Sequence, residues 1–139
     1  YHPDGTVVVQ TYMPGNRTIA LAARGALEEF YTEELENRRA LGFPPYTRLI
    51  RIVFRSRLSA KSEQAAEDFV RHLEGGSGVE VLGPAECPLS VIAGSHRTQV
   101  LIRGPEFARV HGAARRALGS FSPPAGVYLE VDVDPVSLL

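Results

Sequence analysis

Apolar residues recur along this chain with the spacing of helices in some stretches and of strands in others. The β-branched stretch GTVVVQTYMP, residues 5–14, predicts a strand that stops at Pro14 and Gly15. Asn16 is a suitable N-cap for a short helix that ends near Gly25. The N-terminal part of the chain is therefore predicted to hold a strand followed by helical structure.

A longer helix is predicted over residues 26–42, where apolar side chains recur at steps of three and four. These side chains are Leu27, Phe30, Tyr31 and Leu35. Glutamates in the first turn and arginines in the last turn suit the helix dipole. Gly42 can end the helix, and Pro44 and Pro45 predict a stiff connection to the next element.

From residue 47 onward, strand and helix patterns alternate. The predicted strands are residues 47–57, 79–84, 97–104 and 127–135, and the predicted helices are residues 59–76 and 105–118. Gly75 and Gly76 should end the first of these helices, and Pro105 should open the second in its first turn. Residues 85–96 predict an irregular connection. The predicted buried stripes are Ala65, Ala66, Phe69, Val70 and Leu73, and then Phe107, Val110, Ala114 and Leu118.

The order β-α-β-β-α-β predicts an α+β sandwich in which two helices cover one face of a four-stranded antiparallel sheet. This is the ferredoxin-like arrangement. Residues 1–46 are expected to belong partly to an element that precedes them. Because the chain begins at Tyr1 without an initiator methionine, it is interpreted as a fragment of a longer protein.

The strand at residues 47–57 has two different faces. Ile50, Ile52 and Phe54 should face the helices, and Arg51, Arg55 and Arg57 should share the other face with Leu49 and Val53. In a sheet of this topology the last strand pairs with the first and presents Glu130 and Asp132 on the same face. Arg51 and Arg55 then either form cross-strand ion pairs, each contributing about 0.2–1 kcal/mol, or face a ligand. The sequence leaves both interpretations open.

Charge is segregated along the chain, although the net charge at pH 7 is only −1. Basic residues crowd residues 38–57 and 97–116, which makes a local positive field possible. The candidate phosphate-binding residues in these stretches are Arg51, Arg55, Arg57, Arg97 and Arg103. Exposed aromatic residues are scarce beside them, so any nucleic-acid contact should be mainly to phosphate and sensitive to salt.

Motifs for catalysis and for cofactors are missing from the sequence. There is no phosphate-binding loop, no dinucleotide-binding glycine motif and no set of cysteines and histidines with zinc spacing, since Cys87 is alone. We therefore expect no catalytic residue, no metal and no cofactor in this fragment. No stretch has the pattern of a signal peptide or a membrane span, and a cytoplasmic location is expected.

An ordered set of short motifs runs through the chain. They are QTYMP at residues 10–14, FYTEELENRR at 30–39, PPY at 44–46, LGP at 82–84, HRTQVLI at 96–102 and DVDP at 132–135. The set resembles the C-terminal end of PriA-type replication-restart helicases, the primosomal protein N′ family. The resemblance covers nearly the whole chain, and its specificity comes from the order of the motifs.

The resemblance implies that residues 1–25 are the tail of a helicase lobe, residues 26–46 a connecting helix and Pro-Pro hinge, and residues 47–139 a domain similar to ribosomal protein S10. It implies a non-catalytic domain that binds branched or single-stranded DNA at stalled forks in the bacterial cytoplasm, associated with the nucleoid. The full-length relatives are ATP-driven 3′-to-5′ helicases that use Mg and Zn. The implied partners are the acidic, Phe-ended tail of single-stranded-DNA-binding protein and other primosome proteins. The protein is expected to be a monomer that does not contact membranes.

The helix after Pro105 is the candidate docking surface for that tail. Family members offer Arg and Gln one turn apart there, and the matching positions in this chain are Phe107 and His111. Arg109 could supply the cation that an acidic peptide needs, although it belongs to a different stripe of the helix. Two other classes of function remain open. One is a structural brace that docks partners without contacting DNA, and the other is a ferredoxin-like small-ligand regulator or acylphosphatase-like enzyme.

Overall fold

A computed structural model describes residues 5–73, 78–136 and 138, and within these residues the chain forms four helices and four strands. In chain order they are α1 (Arg17–Ala23), α2 (Leu27–Leu41), β1 (Arg48–Ser56), α3 (Ser59–Leu73), β2 (Glu80–Ile92), β3 (Ser95–Gly104), α4 (Phe107–Ser120) and β4 (Val127–Val133). The chain divides into two compact units between Leu41 and Gly42.

The first unit contains α1 and α2. The side chain of Asn16 accepts a hydrogen bond from the backbone N–H of Ile19 at 3.2 Å, which confirms the predicted N-cap. Leu21 is 1% exposed and is the buried residue of α1. Arg17 joins the two helices, because its guanidinium pairs with Glu29 and Glu33 of α2.

Two predictions for the first unit are corrected by the structure. Residues 5–13 do not form a strand, because a strand needs a hydrogen-bonded neighbour and the sheet of the described residues contains only β1 to β4. The helix of residues 26–42 is confirmed as α2, but its apolar stripe is not buried. Leu27, Tyr31 and Leu35 are exposed in this chain.

The second unit has the predicted element order, β-α-β-β-α-β. Its sheet is antiparallel throughout, with strand order β2-β3-β1-β4. Helices α3 and α4 lie on one face, where Ile50, Ile52 and Phe54 of β1 join the core as predicted. The rings of Phe54, Phe69 and Phe121 pack with centroids 5.3–6.0 Å apart at the centre of this core.

The predicted short strand at residues 79–84 and the irregular connection after it form one long strand, β2. The pairing of β2 with β3 shifts register between Leu82 and Ala85 and again between Glu86 and Val91. The full length of this strand could not be predicted from local sequence, because two prolines interrupt it. They are tolerated because β2 is an edge strand. The hairpin closes at Ala93 and Gly94, whose φ angles of 49° and 72° suit a tight two-residue turn.

The helices of the second unit differ from prediction in smaller ways. Gly75 and Gly76, predicted to end α3, lie outside the described residues. Pro105 precedes α4 instead of opening it, because Glu106 occupies the N-cap. Phe107 is 45% exposed instead of buried, and Ala113 and Ala117 complete the buried stripe with Val110 and Ala114.

The described helices are all too short or too polar to cross a membrane. Among the described residues, the structure contains no cluster of three His, Cys, Asp or Glu side chains that could hold a metal ion. Cys87 is a buried free thiol.

Candidate nucleic-acid interface

Four of the five arginines predicted as DNA contacts lie on the sheet face opposite α3 and α4, and the fifth, Arg57, follows the end of β1. That face is less open than predicted. Leu49, Arg51 and Val53 are 2%, 4% and 3% exposed. β1 is a central strand, and its neighbours place long side chains on the same face, so the residues in its middle lose most of their solvent contact. Arg51 lies directly opposite Asp132 of β4.

Glu130 lies between two arginines on this face. Its Oε1 is 2.9 Å from Nε of Arg55, and its Oε2 is 4.0 Å from Nη2 of Arg97. The contact with Arg55 is an ion pair without the alignment of a good hydrogen bond. Arg97 also donates from Nη1 to the carbonyl of Leu89 at 3.2 Å, and its side chain is 9% exposed. Of the two interpretations that the sequence left open for Arg55, the structure therefore contains the ion pair with an acid of β4.

Arg103 is held by several groups of the second unit. Its Nε and Nη2 donate to the two carboxylate oxygens of Glu80 at 2.8 and 3.1 Å, and Nη1 donates to the carbonyl of Gly42 at 3.1 Å. The guanidinium carbon also lies 5.7 Å from the ring centroid of Phe43. The hydrogen bonds from Arg103 hold the pKa of Glu80 below its usual value. Arg103 therefore links β2, β3 and the segment that leads into β1.

A cavity of about 430 Å³ lies at the end of β1, and we call it the basic pocket. Its lining residues come from four separate segments of the chain: Arg55, Ser56, Arg57, Leu58, Lys61, Ser95, Gly126 and Tyr128. Three of these residues are cations and none is acidic. Glu130 neutralises Arg55, whereas no carboxylate of the described residues forms an ion pair with Arg57 or Lys61. The pocket therefore carries a net positive charge.

Lys61 is a site residue that the sequence patterns did not predict. Its Nζ donates to the carbonyl oxygen of Ala125 at 3.2 Å, which places the ammonium over the turn that leads into β4. An ammonium has three N–H groups, so two remain for a ligand. The sequence did contain a signal, since Lys61 is the only lysine and lies in the first turn of a predicted helix with no acid in that turn.

The predicted docking residues lie on the exposed side of α4. The rings of Phe107 and His111 stack at 5.3 Å between centroids with an interplanar angle of 19°. Arg48, which had not been predicted, lies with its guanidinium carbon 5.9 Å from the Phe107 centroid. We call these three residues the aromatic patch. Arg109 is separate, because its Nε pairs with Glu106 at 3.0 Å.

Comparison with known proteins identifies the family of this chain. The family model of the primosomal protein N C-terminal domain matches residues 39–136. Relatives named replication restart protein PriA come from Treponema pallidum (strain Nichols), 45% identical over 100% of this chain, and from Thermotoga maritima, 32% identical over 97% of it. The chain spans 22% of the first relative's length and 17% of the second's. The chain therefore belongs to the family of the primosomal protein N C-terminal domain.

Proposed function

We propose that the second unit is a ferredoxin-like domain, similar to ribosomal protein S10, that binds DNA and docks proteins without catalysing a reaction. It is part of a replication-restart protein that acts at stalled or branched forks, and it thereby takes part in fork repair. The observation that carries this proposal is the basic pocket, where Arg57 and Lys61 have no carboxylate partner among the described residues. Family membership and the names of the relatives support the replication-restart role.

The predicted DNA-contacting arginines fall into two groups. Arg57 contacts phosphate together with Lys61, and Arg55 assists from the same pocket. Arg97 and Arg103 serve mainly to hold the sheet, since each makes several contacts within the second unit. Arg51, at 4% exposed, belongs with them. The DNA-binding surface is thus the end of β1 and not the whole sheet face.

Contacts made by guanidinium and ammonium groups to phosphates carry little sequence information and depend on salt. The domain should therefore recognise the arrangement of strands in a fork instead of a base sequence. Affinity should decline steeply as salt is raised, since each phosphate neutralised by the protein releases a counterion.

Fluorescence anisotropy with a labelled fork, a single strand and a blunt duplex tests the proposal on the 139-residue chain. The double variant Arg57→Ala/Lys61→Ala should reduce fork affinity by about tenfold or more at low salt and make the salt dependence shallower by about one to two in slope. Arg71→Ala is the matched control, since Arg71 is an exposed cation of α3 paired with Asp68 outside the pocket. Absence of DNA binding by the wild-type chain at low salt would refute the proposal.

A second candidate function is a structural brace and partner-docking module that does not contact DNA. It is favoured by the contacts of Arg97 and Arg103, which serve the fold. The same anisotropy titrations distinguish the DNA-binding function from the brace function. A brace predicts that the pocket variant changes stability and leaves DNA binding no different from the control variant.

The aromatic patch is the proposed docking site for the acidic, Phe-ended tail of single-stranded-DNA-binding protein. Arg48 supplies the cation next to an exposed aromatic surface, in place of the predicted Arg109. The remaining proposals come from the family. The full-length protein is a helicase that uses ATP, Mg and Zn outside this domain, it works as a monomer with other primosome proteins, and it acts at the nucleoid in the bacterial cytoplasm.

A further inference from the structure

We infer that the basic pocket binds a nucleotide whose base is unpaired, with the phosphate on Arg57 and Lys61 and the base stacked on Tyr128. The inference rests on the proposed DNA-binding function and adds the residue that stacks on the base. A site of this kind favours single-stranded DNA, or the single-stranded part of a fork, over blunt duplex.

Tyr128 presents an exposed ring beside cations. Tyr128 is 67% exposed at the start of β4, and it lines the same cavity as Arg57 and Lys61. An exposed aromatic ring in a positively charged cavity is the combination that proteins use to bind unpaired bases, since every base has a face that can stack. Phosphate binding alone would not require the ring.

Arg55 lies directly opposite Tyr128 in the pairing of β1 with β4. Glu130 holds the Arg55 guanidinium at 2.9 Å. The start of the Tyr128 strand is held too, since the backbone N–H of Val127 donates to the carbonyl of Pro124 at 3.0 Å. The strand that carries the ring is therefore fixed near the pocket before a ligand arrives, which reduces the entropy lost on binding.

Lys61 is held by the turn that leads into β4. Its ammonium donates to the carbonyl of Ala125, the residue that precedes Gly126 in the pocket wall. The φ angle of Gly126 is +84°, and a Cβ atom at this position would lie 4.0 Å from Nζ of Lys61. The turn thus positions the ammonium at the wall shared with Tyr128, with two N–H groups left for phosphate oxygens.

A cavity of about 430 Å³ exceeds what a phosphate group fills and lies within the usual range of pockets for small organic ligands. Ser95 also lines the cavity, and a serine hydroxyl can hydrogen-bond to a sugar or a base edge. Inside a duplex the base faces are covered by their neighbours, so Tyr128 could not stack on them. The pocket therefore fits a nucleotide that has left the duplex.

The test uses the 139-residue chain with an oligothymidine of about 12 nucleotides, a blunt duplex and inorganic phosphate as probes. Tyr128→Ala should weaken binding of the single strand about 5- to 20-fold and leave duplex binding unchanged. Tyr128→Phe should bind like the wild type, since a phenyl ring still stacks. Tyr12→Ala is the matched control, because Tyr12 is a fully exposed tyrosine of the first unit.

Because the chain has no tryptophan, tyrosine fluorescence gives a second measurement. Oligothymidine should quench part of the tyrosine emission of the wild type and of Tyr12→Ala, and should quench less in Tyr128→Phe. Equal single-strand affinity for Tyr128→Ala and the wild type would overturn the inference. If Arg57→Ala/Lys61→Ala still lost binding in that case, the proposed DNA-binding function would stand. If inorganic phosphate displaced the oligonucleotide equally well from Tyr128→Ala and the wild type, the pocket would be a phosphate site only.

Discussion

Nε of Arg55 lies 2.9 Å from Oε1 of Glu130, although the two residues are diagonal neighbours in the sheet and not direct partners. Glu130 is directly opposite Val53, and Arg55 is directly opposite Tyr128 on one side and Arg97 on the other. The carboxylate of Glu130 therefore contacts both Arg55 and Arg97, and it reduces the repulsion between these two directly opposite arginines. Such diagonal pairs are within reach of long side chains.

The Arg55–Glu130 pair should stabilise the domain modestly. Both side chains are partly exposed, at 39% and 45%, so a double-mutant cycle with Arg55→Ala and Glu130→Ala should give a coupling of about 0.2–1 kcal/mol. Urea denaturation at low and high salt measures this coupling, which should shrink as salt screens the charges.

Charge reversal gives a second test of the coupling between Arg55 and Glu130. Glu130→Arg alone adds a cation beside Arg55 and Arg97 and should destabilise the domain more than Glu130→Ala. Adding Arg55→Glu should recover most of that loss, because the carboxylate introduced on β1 would then lie between Arg97 and the guanidinium introduced on β4. A double reversal no more stable than Glu130→Arg alone would show that the pair contributes nothing.

The sequence predicted the second unit well because its signals are local and repeated. Alternation in β1 indicated one buried face of the strand, and the apolar stripe of α3 indicated one buried face of the helix. The β-α-β-β-α-β topology packs these two faces against each other. That topology then placed β4 beside β1, which is why an ion pair with an acid of β4 was one of the two interpretations open for Arg55. The alternation of residue types predicted that Arg55 and Glu130 share a sheet face, whereas their diagonal pairing is visible only in the structure.

Other features could not be predicted because they arise from parts of the chain that are distant in sequence. Gly83, Pro84 and Pro88 interrupt the strand pattern of β2, and the segment is extended where it forms a ladder with β3. The basic pocket brings Lys61 beside Tyr128, residues that no motif spacing connects. In the first unit, the sequence indicated an apolar stripe on α2 but could not show whether anything covers it.

Gly83 should be essential to the register shift in β2. Its φ angle is +103°, and a Cβ atom there would lie 2.8 Å from the carbonyl oxygen of Gln99 on the neighbouring strand. Because that contact is with backbone, the strands would have to separate. Gly83→Ala should destabilise the domain by about 1–3 kcal/mol in urea denaturation.

Gly94 provides the control for this substitution. Its φ angle is +72°, and a Cβ atom there would meet nothing within 4 Å. Gly94→Ala should therefore show only the backbone cost, about 1 kcal/mol. Equal losses for the two variants would mean that the contact with Gln99 is relieved at little cost.

Arg48 should be the residue of the aromatic patch that binds an acidic peptide ending in Phe. It is 53% exposed and lies over Phe107, while Asp134 pairs with it at 2.9 Å. Arg48→Ala and Phe107→Ala should each weaken binding of such a peptide about 5- to 30-fold by calorimetry, as expected for interface residues worth about 1–2 kcal/mol. Asp134→Asn should strengthen binding, because it removes the charge that competes for Arg48.

Arg109→Ala is the matched control on α4. Arg109 has similar exposure, at 55%, but pairs with Glu106 on its own helix. Peptide affinity should be unchanged in this variant. If Arg109→Ala lost peptide affinity and Arg48→Ala did not, the cation of the docking site would be Arg109, the residue indicated by the sequence.

The Glu80–Arg103 pair should make the stability of the sheet depend on pH. Hydrogen bonds from Arg103 lower the pKa of Glu80 in the folded protein, whereas in the unfolded chain its pKa is the ordinary value of about 4.3. The stabilisation is therefore fully present above the unfolded pKa and is lost as pH falls through the lower folded pKa. Urea denaturation of the wild type and Glu80→Gln between neutral and acidic pH should show a stability difference that shrinks over that interval.

Glu86→Gln is the control for this titration, since Glu86 is an exposed glutamate of the same strand. Its stability should follow the wild type across the pH range. An NMR titration of the Glu80 carboxyl should give a pKa below the ordinary value in the wild type, and Arg103→Ala should raise it toward that value. A stability difference between the wild type and Glu80→Gln that stays constant with pH would mean that the carboxylate charge is not what holds β2 to Arg103.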